Sequence, residues 1–190
     1  MSATSPFLLP SACEETTAPR SMLIRAWVPV LMFACIFAIE SNAQFGADHT
    51  SAPLHSFFYG LLGPVVDLDW SAMHHDIRKT GHFFGYGIFS LICFRGFWLS
   101  IGQGVSFLKR RLLCNGMAVL ATALVASADE FHQSFLANRT GTPADVMLDT
   151  TGALVLQMAL FLVLWCVDWQ AARALGKPDE EPFQLLKLAA

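Results

Sequence analysis

The 190-residue chain is 54% hydrophobic and 14% charged, whereas soluble domains run about 45–50% apolar and about 25% charged, so an ordinary water-soluble domain is excluded and a membrane protein is expected. A net charge of −3 excludes the clustered basic footprint of a nucleic-acid binder. The five cysteines, Cys13, Cys35, Cys93, Cys114 and Cys166, are odd in number and scattered, which argues against a disulfide framework or a CxxC metal motif and leaves them as small buried hydrophobes.

Residues 1–20 are rich in Ser, Thr, Ala and Pro without periodicity, a composition that cannot offset its ordering entropy; they are expected to form a mobile tail with no cleavable signal peptide. A bilayer core takes roughly 20 apolar residues in a helix, and residues 22–39 supply the first such run, with Arg25 and Trp27 at its interface and Glu40 closing it. Residues 53–66 are apolar but short and broken by Gly60, Gly63 and Pro64, which predicts an interfacial or re-entrant segment. The second span is predicted at 81–100, the third at 112–128 and the fourth at 146–169, with residues 170–190 as a solvated extension. The expected fold is an all-α integral membrane bundle of four transmembrane helices in one domain over 21–169.

Basic residues in short loops stay on the cytoplasmic side. Four spans place Arg20, Arg25, Lys109, Arg110, Arg111, Arg173, Lys177 and Lys187 on one side and only Arg78, Lys79 and Arg139 on the other. Both termini are therefore expected inside, and the polar stretch 128–151 at the outer face.

That stretch interrupts apolar sequence with Asp129, Glu130, His132, Gln133, Arg139, Asp145 and Asp149. Asp129 and Gln133 are four residues apart, Asp145, Asp149 and Gly152 follow an i, i+4, i+7 pattern, and Lys79, His82 and Tyr86 follow i, i+3, i+7, so each set lies on one helix stripe. An isolated charge at the centre of a membrane helix costs about 2.5–3.5 kcal/mol on the mildest scale, and the cost falls if Lys79 and Arg139 face Asp129, Glu130, Asp145 and Asp149 across a wet pocket. Such a pocket would separate carboxyl pKa values into acid and base roles, with Glu130 and Asp129 as candidates. Plainer readings apply to several of these residues. Glu40, Arg78 and Asp168 read as charges at helix ends, Asp145 reads equally well as a helix N-terminal acid after Thr142-Pro143, and His49, His55, His74 and His75 read as surface histidines. His82 and His132 lie nearest the carboxylates and have the chemistry of metal ligands, yet the balance is against a metal, and no cofactor is expected. Gly81, Gly85 and Gly87 follow no strand, so they read as close-packing positions and not as a phosphate loop.

The run Asp129-Glu130-Phe131-His132-Gln133, followed by Arg139, Thr142, Asp145, Asp149 and Gly152, resembles the signature of VanZ-like membrane proteins, and Lys79, His82 and Tyr86 resemble that family's K-x-x-H-x-x-x-Y element. The resemblance covers roughly residues 27–164 and implies a small multi-pass membrane protein whose best-known member is linked to resistance to the glycopeptide teicoplanin. Asp149 stands where the family often has Asn, a departure that adds a negative charge. Two functions follow as expectations: an enzyme-like site acting on a lipid-linked cell-wall precursor, or a non-catalytic module binding an envelope ligand among membrane lipids. In the first, Glu130 or Asp129 would be the base, Lys79 and Arg139 clamps for an anion, and Tyr86, His82 and Gln133 orienting groups, with Asp145 and Asp149 beside the ligand. A transporter or proton relay ranks last, because no broken pair of spans or inverted repeat is visible.

Overall fold

The computed structural model describes residues 19–101, 106–137 and 139–174. The two terminal segments expected to be solvated tails therefore lie outside the described residues, apart from the stretch that continues the last helix. Five α-helices follow in order: α1 (Arg20–Glu40), α2 (Ala47–Leu62), α3 (Trp70–Ser100), α4 (Phe107–Gln133) and α5 (Pro143–Ala174), with short 3-10 turns at Ala43–Phe45 and Gly63–Leu68. No strand occurs among the described residues. Four of the helices, α1, α3, α4 and α5, are long and apolar enough to cross a membrane.

The boundaries have local causes. At the start of α3 the Asp69 carboxylate accepts the Ala72 N–H at 3.2 Å, an N-cap that begins the helix at Trp70, eleven residues before the apolar run from which the span was predicted. Asp76, Arg78 and Lys79 interrupt the hydropathy before Gly81, and the helix carries them as its N-terminal extension. α2 ends where Gly63 takes φ 70°, a left-handed conformation suited to glycine, and Pro64 follows. With 16 residues α2 is about 24 Å long, short of the roughly 30 Å hydrocarbon core, in keeping with the short segment expected there.

α3 is the central element and packs against α1, α4 and α5. Its contact with α5 is the tightest: a Cβ at Gly152 would fall far inside the radius of the Phe83 carbonyl oxygen, and one at Gly87 would meet Leu156 Cδ2 at 2.9 Å. Small residues that let backbones approach are the usual means of association in lipid, where apolar burial between helices gains little. Against α1, Phe37 stacks on Tyr86 with ring centroids 4.2 Å apart, and Trp27 lies over Gly96 and donates to Ser100 Oγ at 3.0 Å. Leu31, Leu120, Leu124, Met158 and Leu162 point outward and are exposed, as lipid-facing positions should be.

Asp168 is no simple helix-end charge: it accepts from Arg111 Nη1 at 3.0 Å, with both side chains 2% exposed, because α4 and α5 enclose the pair at the end of the bundle where α4 begins. His74 is buried, stacked on Trp70 with centroids 5.4 Å apart and within hydrogen-bond distance of Thr50 Oγ1 at 3.2 Å, because α3 starts early enough to carry it under α2. Cys93 and Cys114 are buried as expected, but Cys35 and Cys166 are exposed on the outer surface of the bundle.

Candidate functional site

The N-terminal ends of α3 and α5 and the C-terminal end of α4 bring the polar stripes together. Lys79 and Asp145 form an ion pair between α3 and α5. Asp145 is also tied into its own helix start: Thr142 Oγ1 donates to Asp145 Oδ2 at 3.0 Å and accepts the Asp145 N–H at 3.3 Å, a side-chain N-cap. One turn deeper, His82 Nδ1 lies 3.6 Å from Asp149 Oδ2. Asp149 is fully buried, and neither of its carboxylate oxygens has a hydrogen-bond partner.

α4 continues through Gln133, so Asp129, Glu130 and Gln133 are all helical. The acid/base pair suggested for Asp129 and Glu130 divides between two settings, because successive residues point about 100° apart on a helix. Asp129 Oδ2 accepts from Tyr86 OH at 2.8 Å and from Gln133 Nε2 at 3.1 Å. Glu130, 5% exposed, accepts the Thr142 N–H at 2.9 Å through Oε2. The connection from α4 to α5 can fold back this closely because Gly141 lies against the Glu130 carbonyl, where a Cβ has no room.

Arg139 does not pair directly with a carboxylate. Its guanidinium donates to the carbonyls of Glu40 and Asn42, where the end of α1 presents carbonyl acceptors and negative dipole charge. Burial, with the Arg78 guanidinium nearby, lowers Arg139 from the usual arginine pKa. His132, suggested beside His82 as a metal ligand, points elsewhere: its Nδ1 is 2.8 Å from Ser41 Oγ. The residues that bring an imidazole and two carboxylates together are instead His82, Glu130 and Asp149, each with a potential ligand atom within 4.8 Å of the others.

Two clefts open on this cluster. One, of about 190 Å³, is lined by Lys79, His82, Glu130, Asp145 and Asp149; the other, of about 360 Å³, has Phe33, Ile36 and Phe37 of α1 on one wall and Asp129 on the other. Arg78, His82, Gln133 and Arg139 border both. Arg78 was read from sequence as a helix-end charge, and only its position beside Lys79 on α3 hinted that it belongs to the site.

A sequence profile of the VanZ/LLP1 family matches residues 22–165, a stretch that includes every one of these site residues. The chain belongs to the VanZ/LLP1 family. Searches of curated proteins and of solved structures gave no significant match. Within this VanZ/LLP1 chain the two motifs that carried the resemblance, one on α3 and one running from α4 into α5, are the two walls of the polar cluster.

Proposed function

We propose that this VanZ/LLP1-family protein binds the anionic head group of a lipid-linked cell-envelope ligand at the outer face of the bacterial cytoplasmic membrane, with consequences for glycopeptide susceptibility. The observation that carries the reading is the pair of joined clefts: one polar, one walled by α1 aromatics, with Arg78 and Arg139 bordering both. An amphiphile with a charged head and a hydrocarbon tail matches that division, and guanidinium groups suit phosphate oxygens. A second reading, catalysis on the same ligand, is favoured by Glu130, which lines the polar cleft beside His82 with one oxygen fixed by Thr142 and has the position of a general base.

Purified protein in lipid nanodiscs would be titrated with a long-chain polyprenyl diphosphate and, as a control, a neutral diacylglycerol. Arg78→Ala and Arg139→Ala are each expected to weaken diphosphate binding about tenfold, the scale of one charge-assisted hydrogen bond, and to leave the neutral lipid unaffected. Equal binding of the two lipids, or unchanged affinity in both variants, would sink the proposal. Glu130→Gln separates the two readings: retained binding with lost glycopeptide tolerance in cells supports catalysis, whereas retained binding with retained tolerance leaves recognition alone.

A further inference from the structure

We infer that His82, Glu130 and Asp149 form a binding site for one divalent transition-metal ion of the zinc or manganese class at the floor of the polar cleft. The first ground is geometric. His82 Nδ1 and Asp149 Oδ2 are 3.6 Å apart, beyond a good hydrogen bond. Two ligands that share a tetrahedral ion at bond lengths of about 2.0–2.2 Å sit about 3.3 to 3.6 Å from each other. Glu130 supplies the third atom, the three lying within 4.8 Å of one another.

The second ground is the state of Asp149. It is fully buried, and both of its oxygens lack hydrogen-bond donors, although a buried carboxylate ordinarily has to be paired or bound to a metal. Lys79 is committed to Asp145, and Arg139 to the carbonyls at the end of α1. Arg78, which lines the same cleft, makes no bond to Asp149, so the cation within reach of that carboxylate is a protonated His82 or an ion held in common with His82 and Glu130. Glu130 favours the ion: a second carboxylate beside the pair adds negative charge that a single imidazolium does not balance. Its Oε2 is held by the Thr142 N–H, the kind of supporting contact that orients a metal-binding carboxylate.

The ligand chemistry sets the class of ion. One imidazole with two carboxylates suits borderline first-row metals more than the all-oxygen preference of Ca²⁺ or Mg²⁺. Three protein ligands leave a coordination position open, and all three residues line the polar cleft. The site stands independently of the lipid ligand proposed above, since its test contains no lipid probe.

The experiment uses the full-length protein purified in detergent and stripped with chelator, then titrated with ZnCl₂ or MnCl₂, desalted and assayed for metal by mass spectrometry. One equivalent of at least one of these ions is expected to bind, with a rise in the thermal midpoint. Removing supporting residues of a metal site typically costs 10–100-fold in affinity, so Asp149→Asn and His82→Gln, which remove ligands outright, are each expected to cost at least about 100-fold. Asp67→Asn, in the exposed His55–Asp67 pair, controls for surface histidines and should retain the bound ion. Circular dichroism confirms that the isosteric Asp149→Asn chain is folded. Absence of both ions from the wild-type protein, or equal affinity in Asp149→Asn and wild type, would overturn the site and leave Asp149 paired with a protonated His82.

Discussion

Asp168→Ala is expected to destabilise the bundle by about 3–5 kcal/mol, the cost of removing one partner from a buried ion pair. The Arg111 guanidinium is 2% exposed and 3.0 Å from the Asp168 carboxylate, and the substitution leaves its charge in place without that carboxylate. The pair joins α4 to α5 at the end of the bundle opposite the polar site, so the loss falls on stability before it falls on ligand binding. Replacing both residues, as Arg111→Met with Asp168→Leu, should recover most of the loss, because a buried pair exchanged for packed apolar side chains is often neutral or better. Reversible unfolding in mixed micelles reads both variants. A single variant as stable as wild type would show that the pair is solvated and not enclosed.

Gly152→Val is the second change with a large expected effect, and it links packing to the site. Any Cβ at this position collides with the Phe83 carbonyl, and a backbone atom cannot rotate away, so α3 and α5 must separate. Overpacking typically costs about 1–3 kcal/mol and occasionally more; a clash of two backbones belongs at the upper end. The Asp149 and Asp145 positions lie one and two turns outward from Gly152 on α5, so the same separation pulls Asp149 from His82 and Asp145 from Lys79. Three substitutions by alanine give an internal scale. Gly81→Ala meets nothing within 4 Å and should be neutral or gain up to about 1 kcal/mol from helix propensity. Gly87→Ala meets a mobile Leu156 methyl as well as the Gly152 carbonyl and should fall between. Gly152→Ala should be the most damaging of the three. Thermal midpoints in that order support the packing, and a tolerated Gly152→Ala would contradict it.

Much of this architecture is legible in the residues themselves. Apolar runs of about 20 residues locate four membrane helices because a bilayer core requires that length, and helical spacing places Lys79, His82 and Tyr86 on one stripe. The pairings across helices are not legible, since they depend on how each helix is rotated and how deep it sits. Asp129 and Glu130 are adjacent in sequence yet serve different clefts. Arg139 borders both clefts, but the bonds that hold its guanidinium there, to the carbonyls of Glu40 and Asn42, span 99 and 97 positions and leave no local signal in the sequence. Hydropathy alone also hid the start of α3, because the charged residues that stop an apolar run are the ones this helix carries into the site. Arg111 and Asp168 are 57 positions apart, and only the packing of α4 on α5 brings them into contact.

We propose that the polar cluster faces outward from the cytoplasmic membrane, as binding of an envelope ligand at the outer face requires. Thr140 is exposed on the connection between α4 and α5, beside the polar cleft that it helps to line. With the five native cysteines replaced by alanine, Thr140→Cys would be treated with a membrane-impermeant maleimide in intact cells and, in parallel, in permeabilised cells. Equal labelling in the two preparations is the expected result; labelling confined to permeabilised cells would place the site on the cytoplasmic side and contradict the claim.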